Sequence, residues 1–65
     1  MTRREREVLR LFAGGASTRD IAERLVISPA TVRTHLDRII ARLGLHSRVE
    51  LATWAAVAGD LHLEA

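Results

Sequence analysis

Apolar residues recur along this chain at intervals of three and four, the period of helices that bury one face. The first such stretch holds Val8, Leu9 and Phe12, with Glu7 and Arg10 among its polar positions. Ahead of it, Thr2-Arg3-Arg4-Glu5 has the form of a capping box, in which the threonine hydroxyl and the glutamate carboxylate satisfy two orphan amides reciprocally. Gly14-Gly15 ends the stretch with a residue that turns left-handed at no steric cost. The second stretch is shorter. Ser17 caps it with Asp20 three residues on, Ile21, Ala22 and Leu25 form its stripe, and it stops before Val26-Ile27. Ser28-Pro29 opens the third, a serine cap with proline at the first helical position, where a missing N–H matters least. Val32, Leu36, Ile39, Ile40 and Leu43 follow, Gly44 closes, and the helix should be a rod of roughly 22 Å. Ser47-Arg48-Val49-Glu50 begins the fourth, with Leu51, Ala55 and Ala58 as its stripe, Trp54 beside it and Gly59 after it. The pattern predicts an all-α domain over residues 1–59, with helices at about 3–13, 18–25, 29–43 and 48–58. Residues 60–65 lack periodicity and are expected to be a frayed tail.

Composition agrees with helices and removes several alternatives. Leucine and alanine dominate the apolar fraction, Phe12 and Trp54 are the only aromatics, and one proline and four glycines interrupt the chain. No cysteine is present, so neither a disulfide nor a thiolate-bound metal can staple so small a domain. His35, His46 and His62 are too far apart to share adjacent turns of one helix, and no metal site or cofactor is expected. No apolar run is long enough to span a membrane and the start is not a signal peptide, so the expected location is the cytoplasm. No nucleophile–base pair or phosphate-cradling loop suggests an enzyme.

Charge changes the picture more by its position than by its amount. Ten arginines against eight carboxylates leave a net charge of only +2. Between Ser28 and Arg48, however, Arg33, Arg38, Arg42 and Arg48 face a single acid, Asp37, which gives four minus one, or +3. Such a stretch is either a solvated helix face or a footprint for phosphates.

The second and third stretches are separated by only a few residues, which forces a steep crossing like that of a helix-turn-helix. Five positions over 12 residues fit that motif. Ala22 is small where the helices approach, Ile21 and Leu25 precede the turn, Ile27 plugs it, and Val32 anchors the second helix. Val26 departs from it, because glycine is common there and a β-branched residue is strained at positive φ. The turn must have another geometry or tolerate strain. If Val32, Leu36, Ile39 and Leu43 point inward, then Ala30, Arg33, Thr34, Asp37 and Arg38 point outward.

Over about residues 1–58 the chain resembles the LuxR-type (GerE-type) helix-turn-helix domain of bacterial transcription regulators. The resemblance rests on Thr2 to Leu9, Gly15-Ala16-Ser17, Asp20-Ile21-Ala22, Leu25, Ile27-Ser28, Thr31-Val32-Arg33-Thr34-His35, Leu43-Gly44 and Ser47-Arg48-Val49-Glu50-Leu51. It implies a third helix lying in the major groove of double-stranded DNA and a fourth helix able to mediate dimerisation. Carried over, the DNA-facing residues are Thr31, Arg33, Thr34, Asp37 and Arg38, with Ser28 and Pro29 where the helix begins. Family members commonly have leucine where this chain has Met1, and their domain usually follows a receiver or ligand-sensing domain. The chain is then either a fragment or a short regulator, with RNA polymerase as a further candidate partner.

Chemistry assigns these residues different tasks. Arg33 can pair bidentately with guanine O6 and N7. Thr34 offers either a methyl to thymine or a hydroxyl to a phosphate. Asp37 can accept from a cytosine amine or, the favoured role, hold Arg33 one turn earlier. Arg38, Arg42, Ser28 and Thr31 suit phosphates, as do Thr18 and Arg19 at the start of the second helix. His35 is either a packed histidine or a phosphate ligand. Glu5 or Glu7 is expected to pair with Arg48, tying the first helix to the fourth. On the fourth helix, Val49, Ala52, Thr53 and Ala56 are small or apolar where a solvated helix would carry charge, and are expected to meet a second copy on DNA. Two other readings stay open. One is a sigma-like promoter-reading module, which the Ser47 cap argues against. The other is a helical protein-interaction module whose arginines serve only solubility.

Overall fold

A computed structural model describes residues 1–58, and the expected tail at 60–65 and the Gly59 terminator lie outside the described residues. Four helices follow in order: α1 (Arg3–Ala13), α2 (Thr18–Leu25), α3 (Pro29–Arg42) and α4 (Arg48–Ala58). The boundaries match the periodicity, except that α3 ends at Arg42, one residue early, with Leu43 as its cap.

Side-chain caps start each helix as the sequence predicts. The Thr2 backbone N–H donates to Glu5 Oε1 at 3.0 Å while the Glu5 N–H donates to Thr2 Oγ1 at 3.1 Å. Ser17 and Asp20 form the same reciprocal box on α2. At α4 the Glu50 N–H donates to Ser47 Oγ, but its carboxylate reaches one residue further back, to the His46 N–H at 3.3 Å. Each such cap contributes about 1 kcal/mol.

One device ends the first three helices. The Ala16, Ile27 and Leu45 N–H groups donate to the carbonyls of Leu11, Ala22 and Ile40, five residues back. The preceding residue in each case turns left-handed: Gly15 at φ 94°, Val26 at φ 56° and Gly44 at φ 71°. These are Schellman ends, and the residue just beyond each one packs against the core. Val26 therefore takes the strained option. Its backbone is at φ 56° and ψ 48°, and its N–H to Glu23 O bond stretches to 3.4 Å, against 3.0 and 3.1 Å at the two glycines. Its side chain is 89% exposed, so no packing offsets a conformation that costs a non-glycine residue about 1–2 kcal/mol.

The core is built from Val8, Leu9, Ile21, Ala22, Val32, Leu36, Ile39, Leu51 and Ala55, all buried, with Met1, Phe12, Leu25, Ile27 and Trp54 packed around them. Met1 is half-buried and packs against this cluster. Burying each large aliphatic side chain stabilises the fold by roughly 1.5–3 kcal/mol. Among the described residues, α1 and α3 touch each other and both remaining helices, whereas α2 and α4 do not meet. That arrangement holds α3 from three sides and leaves its fourth outside.

Candidate nucleic-acid interface

The exposed side of α3 follows directly from its buried line. Val32, Leu36 and Ile39 have no solvent exposure, while Ala30, Thr31, Arg33, Thr34, Asp37, Arg38, Ala41 and Arg42 are exposed. Every α3 residue proposed from the sequence to face DNA therefore lies on the surface. Arg19 and Ser28 are exposed as well, and Thr18 is half-buried at the first turn of α2. The turn Val26–Ser28 joins the end of α2 to the start of α3 in one helix-turn-helix unit.

The arginines of this unit have no carboxylate partner among the described residues. Among the described residues, the ion pairs are Arg3 and Arg4 with Glu7, at 3.7 and 3.2 Å, both on the outer surface of α1. Arg19, Arg33, Arg38 and Arg42 have no carboxylate within 4.0 Å among those residues. Two expectations are corrected here. Asp37 does not hold Arg33, although the two stand one turn apart on an exposed surface, where such a pair gains little. Nor does Arg48 bind Glu5 or Glu7. Glu5 is committed to the Thr2 cap and Glu7 to its neighbours on α1.

Glu5 is the one buried acid of the described chain, at 3% exposure. The Thr2 backbone N–H holds its carboxyl below the ordinary value of 4.5, burial opposes this, and the Arg42 charge at the end of α3 adds to the lowering. Arg42 is thus an exposed cation whose charge reaches the Glu5 carboxyl without forming an ion pair with it.

The hydroxyls of the unit are largely engaged. Ser28 Oγ accepts from the Thr31 N–H at 3.1 Å and lies 2.9 Å from Thr31 Oγ1, so these two hydroxyls keep one outward proton between them. The Val32 N–H donates to Ser28 O, and proline lacks an amide, which leaves Ala30 with the unclaimed N–H of the first turn. The Thr34 hydroxyl donates to the Ala30 carbonyl at 3.1 Å. The His35 ring is half-buried, as a packed histidine would be, and its shielded Nδ1 has no hydrogen-bond partner among the described residues.

The outward face of α4 differs in kind. Val49, Ala52, Thr53 and Ala56 are all exposed, with Val49 at 77%. Thr53 turns its hydroxyl back to Val49 O at 3.2 Å. Val57, which the sequence does not place on this face, is 67% exposed and extends the same patch. Its missing signal was the absence of any charged residue from Leu51 to Ala58.

Comparison with known proteins decides the family. The profile described as bacterial regulatory proteins, luxR family, matches residues 1–55. The chain belongs to the luxR family. Over 60 residues, or 92% of this chain, it is 52% identical to a Mycobacterium tuberculosis protein whose name assigns it provisionally to the HTH-type transcriptional regulators. It is 46% identical over 55 residues to the fimbriae Z protein of Salmonella typhimurium, and 43% identical over 54 residues to the nitrate/nitrite response regulator protein NarL of Escherichia coli. It spans 7% of the first relative's length, 26% of the second and 25% of the third. The luxR-family domain is a DNA-binding helix-turn-helix of transcription regulators and not an enzyme class. Among the described residues, no helix is long and apolar enough to cross a membrane.

Proposed function

We propose that this luxR-family domain reads double-stranded DNA by sequence, with α3 in the major groove, and pairs with a second copy on DNA through the outward face of α4. The observation that carries the reading is the α3 surface. Three exposed arginines with no carboxylate partner among the described residues, and three further polar side chains, Thr31, Thr34 and Asp37, stand opposite a line of three fully buried residues. In this reading Arg33 pairs with a guanine edge and Asp37, released from Arg33, accepts from a cytosine amine. Thr18, Arg19, Ser28, Thr31, Arg38 and Arg42 contact phosphates and set the register. Val49, Ala52, Thr53 and Ala56 supply the contact between copies. The domain ends near residue 59, and the regulator acts in the cytoplasm, where its DNA lies.

Selection from random duplex DNA, followed by titration of the winner at two salt concentrations, tests this. The expected result is enriched half-sites about one helical turn apart, with affinity falling steeply in salt at a log–log slope near −0.9 per phosphate neutralised. No enrichment and no salt dependence would overturn it in favour of a protein-interaction module.

A further inference from the structure

The centre of the α3 surface is less polar than its flanks. At about 100° per residue, Ala30, Thr34 and Ala41 fall within about 30° of the point opposite the buried line. Arg33 and Asp37 lie to one side of them, and Thr31, Arg38 and Arg42 to the other. All eight are exposed. Thr34 joins this strip as an apolar residue because of its hydroxyl, whose single proton goes to the Ala30 carbonyl at 3.1 Å. A threonine bonded back to its own helix has no proton left for a phosphate. What it offers an approaching surface is its Cγ2 methyl, with the Ala30 methyl one turn earlier on the same line.

We propose that Thr34, supported by Ala30, reads the 5-methyl group of a thymine in each half-site. The inference rests on the reading that α3 enters the major groove. There, thymine is the base of unmodified DNA that presents a methyl group, beside its O4 acceptor. The strip matches the methyl by apolar contact, and the arginines on its flanks remain available for guanines and phosphates.

The test replaces the selected half-site's thymines with deoxyuridine one at a time, which removes a single methyl and leaves the protein untouched. One position should lose affinity about fourfold, the transfer value of one buried carbon. Thr34→Ser should bind thymine and uracil duplexes equally, whereas Thr34→Val, which keeps a methyl and lacks the hydroxyl, should preserve the discrimination. Sequence-specific binding with no uracil effect at any position, or a selected half-site without thymine, overturns the methyl reading alone. Discrimination that survives in Thr34→Ser, or is lost in Thr34→Val, overturns it too. Absence of any salt-dependent duplex binding overturns the DNA reading and this proposal with it.

Discussion

The outward faces of α3 and α4 both lie opposite buried lines, Val32, Leu36 and Ile39 on one and Leu51 and Ala55 on the other, yet they are chemically opposite. On α3 the surface is a methyl strip bordered by arginines, an aspartate and hydroxyls. On α4 it is Val49, Ala52, Thr53, Ala56 and Val57, with no charge among them. Core packing cannot explain either surface, since neither contributes to the buried cluster. A face of exposed cations suits a polyanion, whereas an uncharged face of small side chains suits another protein surface of the same kind. The difference teaches that the two contacts proposed for this domain would lie on separate helices, so that each can be broken alone.

The largest effect should come from beneath the faces. Ile39→Ala removes a fully buried side chain from the helix that three others grip, and is expected to destabilise the domain by roughly 2–5 kcal/mol in a urea titration. Leu51→Ala on α4, equally buried, should cost towards the lower end of that range, because α4 meets only α1 and α3. Equal losses would show that the two helices are held alike.

Arg33→Ala comes next. It should lower affinity for the best duplex by roughly 1–3 kcal/mol and relax base preference, with little change on scrambled DNA. Arg42→Ala should instead weaken all duplexes uniformly, and a selective loss there would reassign it. Ala52→Glu should leave single half-site binding intact while removing about tenfold of coupling between half-sites. Unchanged cooperativity and self-association would sink the dimer role of α4.

Two smaller effects concern the frame that carries both faces. Val26→Gly relieves left-handed strain and loses no buried contact, so stability should rise by about 0.5–1 kcal/mol. A decrease would mean that the valine side chain acts in a way its 89% exposure conceals. The Glu5 carboxyl titrates below its ordinary value in the folded domain, so the stability it contributes is complete above about pH 4.5. That contribution is lost as pH falls through the lower folded value. Glu5→Gln should flatten this part of the acid unfolding profile; an unchanged profile would assign acid sensitivity to other groups.

Much of this was legible in the residues themselves. Caps, glycines and three-four spacing are local signals, and they located all four helices to within one residue. The fate of Val26 was legible as a choice between two geometries, and its neighbours' bonding decided for the strained one. Long charged side chains were not legible. Glu5 had two plausible partners, Thr2 and Arg48, and the nearer backbone amide won because a reciprocal cap immobilises little. Arg33 and Asp37 have helical spacing for a pair, but exposure to water removes most of its value. The back-bonded Thr34 hydroxyl is likewise a rotamer choice that sequence leaves open.

The most direct measurement is an amide chemical-shift titration of the domain with the selected duplex. The account predicts the largest changes at Thr18–Arg19 and from Thr31 to Arg38, with the Arg3, Arg6 and Arg10 surface of α1 unmoved. Changes centred on that α1 surface, with α3 silent, would contradict it.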